Sequence, residues 1–158
     1  MSADPAPEPI THWAAGRDGA AIWLNASGVA VGGRGILILG VPGSGKSALA
    51  LELLAYGARL IADDGLWLDP GASPTLRRRP HSPDLIEARG IGLIRAGDPQ
   101  AEAPLALAVD LDRAEPVRLP PRRLVAIGDS LCPLILGAGQ PTLAAALTLM
   151  ARHGRAEV

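Results

Sequence analysis

One eight-residue segment constrains the fold of this chain more than any other feature. It reads Gly40-Val41-Pro42-Gly43-Ser44-Gly45-Lys46-Ser47 and fits the pattern G-x-x-x-x-G-K-[ST]. The apolar run Gly35–Leu39 precedes it, and Leu49 and Leu53 follow it at helical spacing. Strand, glycine-rich loop and helix in this order predict a P-loop, whose backbone N–H groups bind phosphate. The alternative is a flexible glycine-serine turn in which Lys46 is a solvated charge.

The residue types in this segment suit a bound nucleotide and its metal ion. Glycines allow the tight turn that points successive N–H groups at one anion. We expect Lys46 to contact the β- and γ-phosphates of ATP and the Ser47 hydroxyl to ligate Mg²⁺. The predicted cofactors are therefore ATP and Mg²⁺, and the predicted nucleotide-binding residues are Gly40, Val41, Pro42, Gly43, Ser44, Gly45, Lys46 and Ser47.

An acidic pair, Asp63–Asp64, stands at the right distance to serve this loop. The pair follows the apolar run Arg59–Ala62, so one helix and one returning strand separate it from Lys46. Phosphoryl transfer to a hydroxyl needs metal support and a base near the attacking oxygen. We expect one carboxylate to serve each role, without assigning which does which. Alternatively, Asp-Asp-Gly is a tight turn between two strands.

The composition favours one compact domain. It also indicates that any phosphate binding takes place at one site and not over a basic surface. The chain has 158 residues, 48% of them hydrophobic, which is enough for a sizeable core. Fifteen basic against 16 acidic residues leave a net charge of -1, and this gives no basis for binding nucleic acid or an anionic membrane. We expect a proline-rich disordered leader over residues 1–10 and a single P-loop catalytic domain over 11–158.

The apolar pattern predicts an α/β fold with more strands than helices. Helices are expected over about Lys46–Tyr56 and Thr142–Arg152, and a proline-rich surface loop over Asp69–Pro83 holds at most a short strand. The predicted strands are Ala21–Leu24, Gly28–Val31, Gly35–Leu39, Arg59–Ala62, Gly65–Leu68, Ile91–Ile94, Leu105–Val109 and Leu124–Ile127.

Four other features bear on location and chemistry. The uncharged stretch Ser130–Ala151 is broken by prolines and glycines, so it predicts protein core rather than a membrane span. The N-terminus lacks the layout of a secretory signal, and we expect a cytoplasmic protein. Cys132 is expected to be a buried structural thiol. The run Arg77–Arg79 either steers acidic partners or is merely solvated.

The motifs together resemble HPr kinase/phosphorylase. The P-loop, the following Leu49–Leu53 and the block Gly57–Asp64 are similar to the core of that family, and Ile86-Glu87-Ala88-Arg89-Gly90-Ile91-Gly92-Leu93-Ile94 is similar to its signature L-E-I-R-G-L-G-I-I. The resemblance implies a P-loop fold akin to phosphoenolpyruvate carboxykinase. It also implies an enzyme that uses ATP to phosphorylate a serine of the phosphocarrier HPr and inorganic phosphate to remove the group as pyrophosphate.

The resemblance also implies roles for individual residues. Lys46 and the P-loop hold the nucleotide, Ser47 and Glu87 are magnesium ligands, and Asp64 accepts the serine proton and returns it in the reverse direction. Asp63 then assists at metal-bound water, although the two aspartates are interchangeable at this stage. Arg118 is the expected catalytic arginine, with Arg113 as the fallback. The family's hexamers imply a homo-oligomer.

Departures from the family pattern limit these expectations. Asn25 stands where the family has a histidine, and the late Pro-Gly-Arg-Asn segment is not recognisable in Leu136–Pro141. Kinase activity is therefore the safer expectation. The alternative functions are a nucleotide- or phosphate-sensing module without turnover and, with less support, a kinase for a small metabolite. The sequence does not reveal effectors of either activity.

Overall fold

The computed structural model describes residues 3–156, which form a large curled sheet with two helices on one face. The helices are α1 (Lys46–Ala55) and α2 (Leu143–His153), and a 3-10 turn spans Ile10–His12. The strands are β1 (Glu8–Pro9), β2 (Ala14–Asp18), β3 (Ala21–Leu24), β4 (Ser27–Val31), β5 (Arg34–Leu39), β6 (Arg59–Ala62), β7 (Leu66–Asp69), β8 (Thr75–Arg77), β9 (Leu85–Ala88), β10 (Gly92–Arg95), β11 (Glu102–Asp110), β12 (Leu124–Ile127) and β13 (Ser130–Leu136).

The sheet branches at the long strand β11. Its first residues, Glu102–Pro104, pair antiparallel with β8, from which the strands β7, β3 and β2 continue. Its later residues pair in parallel with β5 on one side and β13 on the other. Strand β4 joins β5 to β6, and β9 and β10 form a separate hairpin. Mixed pairing of this kind lets a parallel centre and an antiparallel flank share one curved sheet.

The central strands are apolar throughout because both of their faces are buried. Along β5, Ile36 and Ile38 contact the cluster that includes both helices, whereas Leu37 and Leu39 contact the cluster on the opposite face. Alternation between two cores explains why the run Gly35–Leu39 carries no polar residue. The parallel strands β5, β11 and β13 end together at one edge, where the P-loop begins.

The predicted fold class is confirmed, since the structure has a strand-rich mixed sheet with a P-loop helix and a C-terminal helix. Both helices begin and end within one residue of the predicted bounds. Every predicted strand is present, and the short strand inside the proline-rich loop is β8. Sequence reasoning missed β2, β9 and most of β13, which have few large apolar residues or are interrupted by polar ones.

The leader was predicted too long. Glu8–Pro9 pair with β12, and the side chain of Ile10 is only 3% exposed within the core. Ile10, the one large apolar residue of this proline-rich segment, packs in the core and anchors it. Residues 1–2 lie outside the described part of the chain. Between residues 3 and 156, neither helix has the length and apolar character needed to cross a membrane.

Candidate functional site

The P-loop connects the end of β5 to the start of α1 in a tight turn. Its first glycine is required by a close approach, because a Cβ atom on Gly40 would lie 2.2 Å from Ser44 Oγ. Gly45, which precedes the helix, has a φ of 101°, a left-handed conformation that favours glycine. The Ser44 hydroxyl is buried and has no hydrogen-bond partner among the described residues. The loop thus holds a buried polar group that a ligand oxygen can satisfy.

Lys46 is held inside the loop rather than in solvent. Its side chain is 8% exposed, and its Nζ donates to the carbonyl oxygens of Gly40 (2.7 Å) and Val41 (3.2 Å). No carboxylate within residues 3–156 pairs with it. A nearly buried ammonium without a counter-ion favours an anion beside it. This geometry argues against the alternative of a solvated lysine in a flexible turn.

Asp63 lies directly beside the start of α1. Its Oδ1 accepts hydrogen bonds from Ser47 Oγ and from Ser27 Oγ, both at 2.8 Å. Ser27 is fully buried and also accepts a hydrogen bond from the backbone N–H of Asp64 at 3.3 Å. The structure therefore brings the P-loop serine and the acidic pair together. A serine hydroxyl next to a carboxylate is the oxygen pair with which P-loop proteins hold Mg²⁺.

Asp64 differs from Asp63 in both exposure and backbone. It is exposed, and its φ of 58° places it in the left-handed region that few non-glycine residues adopt. Its side chain makes no hydrogen bond to any described residue, whereas that of Asp63 is committed to two hydroxyls. The structure thus separates the two aspartates that the sequence left interchangeable. Asp63 faces the P-loop, and Asp64 is open to a second substrate.

Two further carboxylates at this edge were missed by sequence reasoning. Both oxygens of Asp112 accept a hydrogen bond from the P-loop N–H of Val41 at 3.1 Å. Asp110, at the end of β11, is 3% exposed and holds the Asp112 backbone N–H and the Arg113 side chain. The sequence did contain a signal for them. Both follow the apolar run of β11, and the carboxyl ends of parallel strands lie at the same edge of a sheet.

The two arginine candidates are placed very differently. Arg113 lies near the P-loop but is bound to Glu8 at 2.9 Å and to Asp110 at 2.7 Å. These contacts raise the pKa of its guanidinium, the hydrogen bond that Arg113 donates to Glu8 being the largest cause. Arg118 is exposed in the loop between β11 and β12 and makes no hydrogen bond to the described residues. Neither contacts Asp63 or Asp64 through a hydrogen bond.

Glu87, the expected second metal ligand, lies on the β9–β10 hairpin. It is exposed, while its neighbours Ile86 and Ala88 are buried. It forms no hydrogen bond or ion pair with Ser47 or Asp63. Across residues 3–156, no three His, Cys, Asp or Glu side chains converge as a metal site would require. The oxygens available for a metal at the P-loop are therefore those of Ser47 and Asp63.

Asn25, which stands at the position of the family histidine, lies beside the acidic pair. It is exposed, and its Oδ1 accepts a hydrogen bond from the indole N–H of Trp23 at 3.2 Å. The next residue, Ala26, uses its carbonyl oxygen to accept from the N–H of Gly65 at 2.8 Å. Asn25 therefore directly precedes Ala26 and Ser27, which contact the acidic loop.

A glycine-rich loop at the carboxyl edge of a mixed sheet, with its serine bound to a strand-end aspartate, defines a P-loop protein. Comparison with family models then gives its family. The model of the HPr serine kinase C-terminal domain matches residues 21–99, half of the chain. The chain belongs to this family.

Curated relatives agree with that assignment. The HPr kinase/phosphorylases of Xanthomonas campestris pv. campestris (strain B100) and Xanthomonas oryzae pv. oryzae (strain PXO99A) are each 45% identical to this chain over 71 residues. The match covers 40% of this chain and 21% of each relative. The chain thus corresponds to about a fifth of the length of these relatives.

A solved structure shows the same fold over a longer range. The HPr(Ser) kinase/phosphatase from Coxiella burnetii superposes with a TM-score of 0.66 and covers 82% of this chain and 93% of that one. Sequence identity between the two is 22%, so this likeness concerns the fold. It extends beyond the residues matched by the family model and takes in most of the described structure.

Proposed function

We propose that this chain is an ATP-dependent serine kinase of the phosphocarrier protein HPr. The observation that carries the proposal is the hydrogen bond between Ser47 and Asp63, with Asp64 exposed next to it. It supports the proposal because a serine and a carboxylate that could hold a metal ion lie together at the P-loop, with an uncommitted carboxylate next to them. Family membership and the names of the relatives supply the acceptor, since those proteins are HPr kinase/phosphorylases.

The residues of the loop fit a bound phosphate and its metal ion. Ser44 Oγ is buried without a partner, and Lys46 is nearly buried without a counter-ion. A phosphate group satisfies both, because its oxygens accept hydrogen bonds and carry negative charge. A cleft of about 370 Å³ opens beside the loop, between the start of α1 and residues 137–143. That volume lies within the range of small-molecule sites, about 300–1,000 Å³.

Each residue then has a defined part in the transfer. ATP with Mg²⁺ supplies the phosphoryl group and offsets its charge. Lys46 would turn its ammonium from the loop carbonyls to the phosphate oxygens, and Ser47 and Asp63 would hold the metal. Asp64 accepts the proton of the acceptor serine while the serine oxygen bonds to the γ-phosphorus and the bond to ADP breaks. Asp64 suits this part because its carboxylate is exposed and uncommitted.

Other parts of the proposal come from the resemblance. Glu87 is retained as a possible further metal ligand, and Arg118, exposed and unpaired among the described residues, is retained ahead of Arg113 as the arginine that meets the transferring group. Phosphorolysis would use the same site in reverse, with phosphate attacking phosphoserine, pyrophosphate leaving and Asp64 returning the proton to the serine oxygen. A homo-oligomer, a hexamer by family resemblance, and a cytoplasmic location complete the proposal.

Transfer of radiolabel from ATP to purified HPr tests the proposal. The wild-type protein is expected to label HPr, and Asp64→Asn to lose at least about a hundredfold in rate, the usual worth of a positioned base. The variant should still bind ATP, because Asp64 does not contact the P-loop in this structure. Asn25→His, at an exposed neighbouring position, is the matched control and should retain labelling.

One result would count against an HPr kinase, and a second would change the assignment of its base. ATP binding by the wild type with no label on HPr would favour the nucleotide-sensing alternative. Label on HPr that persists in Asp64→Asn would remove Asp64 from the role of base and return the assignment to Asp63. Adding phosphate and phosphorylated HPr to the wild type, with pyrophosphate as the measured product, tests the reverse reaction separately.

A further inference from the structure

Two tryptophans form an exposed aromatic pair on the outer face of the sheet. Trp23 on β3 and Trp67 on β7 are direct cross-strand partners, and their rings meet edge to face with centroids 5.0 Å apart. Both side chains are partly exposed, whereas the alternate residues of the same strands are buried in the core, namely Ile22, Leu24, Leu66 and Leu68. The two indoles therefore point away from the core. Indoles that keep part of their rings in contact with water in this way are enriched at binding surfaces.

Arginines extend this pair into what we call the indole face, comprising Trp23, Trp67, Arg77 and Arg79. The guanidinium of Arg77 lies 5.7 Å from the Trp67 ring centroid, and that of Arg79 lies 5.8 Å from the Trp23 ring centroid. Arg77 is neutralised by Asp69, at 2.7 Å. Arg79 is bonded only to the hydroxyl of Ser82 among the described residues and keeps its charge. The face is thus apolar at its centre and positive at one border.

The indole face begins where the acidic pair ends. A Cβ atom on Gly65 would lie 2.5 Å from Trp23 Cζ2, so the backbone directly after Asp64 packs on the indole ring. The same indole donates its N–H to Asn25, which is exposed beside the pair. Trp23 therefore contacts the acidic loop on one side and Trp67 on the other. The surface from Asp64 to Trp67 is continuous.

We infer that the indole face is the docking surface for the protein that carries the acceptor serine. The inference rests on the proposed function. A serine hydroxyl is one carbon from its backbone, so a serine that reaches Asp64 brings its neighbouring residues onto the adjacent surface. The P-loop and its nucleotide lie on the Ser47 side of Asp63, and the indole face lies on the other. Trp and Arg are the residues most often found to dominate the energy of such interfaces.

The composition of the face defines the partner's chemistry. A folded protein fits if it presents its serine beside an apolar patch that covers the two indoles. An acidic group on the far side of that patch would meet Arg79, while Arg77 needs no further partner. The competing occupant is the adenine ring of the nucleotide, which would also stack on an indole. If the partner protein occupies the face, loss of Trp67 weakens the binding of HPr. If adenine occupies it, loss of Trp67 weakens the binding of ATP.

Steady-state labelling of HPr by Trp67→Ala, together with calorimetry of its ATP binding, tests the assignment. The KM for HPr is expected to rise about tenfold, as for loss of a central interface tryptophan. The affinity for Mg²⁺–ATP and the rate at saturating HPr should stay within about twofold of wild type. Docking contacts stabilise the bound substrate and the transition state equally, so their loss raises KM without lowering the saturated rate. Leu149→Ala is the control, since Leu149 is 58% exposed on α2 and should leave all three values unchanged.

Arg79→Ala provides a second variant that removes no packed ring. It should raise the KM for HPr and make that KM less sensitive to salt, which screens an exposed charge pair. If Trp67→Ala does not fold, Arg79→Ala and Trp67→Phe decide the matter in the same assay.

The outcomes separate the two claims. An unchanged KM for HPr in the folded variants, with normal transfer by the wild type, overturns the docking surface and leaves the kinase intact. Weakened ATP binding with an unchanged KM for HPr assigns the indole face to adenine instead. No transfer by the wild type overturns the proposed function and the docking surface with it.

Discussion

At the scale of single residues, Ser27 links the two aspartates of the site. Ser27 is fully buried, and its hydroxyl donates to Asp63 Oδ1 at 2.8 Å and accepts from the Asp64 backbone N–H at 3.3 Å. A hydroxyl that both donates and accepts in the core fixes its neighbours relative to each other, because leaving any of these groups unpaired is costly. Ser27 is therefore a positioning residue for the acidic pair.

Ser27→Ala should lower both stability and transfer. We expect the free energy of unfolding to fall by about 1–3 kcal/mol, the cost of leaving a buried partner unsatisfied. The transfer rate should fall about tenfold, as when a residue that orients metal-binding groups is lost. Urea unfolding and HPr labelling measure the two effects. Ser73→Ala, at an exposed serine, is the control, and equal behaviour of the two variants would refute the role of Ser27.

The contacts of Ser27 are also among those that the sequence did not predict. The loop motif and the distance to Asp63–Asp64 were enough to predict that the acidic pair lies near Ser47, because strand, loop and helix are local in sequence. Ser27 and Asp112 contact the site from 36 and 71 residues away from their partners. No periodicity announces such contacts, and a serine in an apolar run resembles any small core residue.

At the scale of elements, one ion pair holds the long loop between β11 and β12. The Glu115 carboxylate accepts from Arg123 Nε at 2.7 Å, from its second nitrogen at 3.0 Å and from the Val117 N–H at 3.2 Å. Glu115 is 7% exposed, so solvent screens this pair weakly. The hydrogen bond from Arg123, first among the causes, lowers the pKa of Glu115. The pair ties down the segment that carries Arg118.

Glu115→Gln should destabilise the protein at neutral pH by about 1–2 kcal/mol, because a charge-assisted bidentate contact is lost. Since the folded pKa lies below the ordinary value of 4.5, the contribution of Glu115 is fully present above that value. It is lost as the pH falls through the folded pKa. Urea unfolding at stepped pH should show the gap between wild type and variant closing in that range. A gap that widens with acid would contradict this account, and Glu102→Gln, at an exposed position, is the control.

At this scale, strands were predicted well where apolar residues form a run and poorly where charged residues interrupt it. The run of β5 is apolar at every buried position and was found within one residue. In β9 the exposed positions are Leu85 and Glu87, so neither a hydrophobic run nor a clean alternation of apolar and polar residues marks this strand. The conformation of such a strand follows from its partner strand, which a local pattern does not contain.

At the scale of the whole molecule, the two cores on either side of the sheet isolate the single thiol of the described chain. Cys132 is 4% exposed among the residues of the core opposite the helices. Burial is the main cause that raises the pKa of its thiol to about 12. At neutral pH the group is therefore a thiol and not the reactive thiolate. The expectation of a buried structural cysteine is confirmed.

A thiol reagent should consequently report opening of the fold. At pH 8 in native buffer, Cys132 should react with a disulfide reagent at least about a hundredfold more slowly than in strong denaturant, because reaction requires exposure of the core. Absorbance of the released chromophore measures both rates. Rapid reaction of the native protein would show that the core around β13 is open to solvent.

The central claim is that the loop from Gly40 to Ser47 binds a nucleotide phosphate beside Asp63. Isothermal titration calorimetry of the wild type and Lys46→Ala with ATP, each with and without Mg²⁺, tests it most directly. The account predicts Mg²⁺-dependent binding by the wild type and an affinity lower by at least about tenfold in Lys46→Ala, which loses the charge that meets the phosphates. Absence of binding by the folded wild type to ATP and to pyrophosphate, or equal affinity in the two proteins, would contradict it.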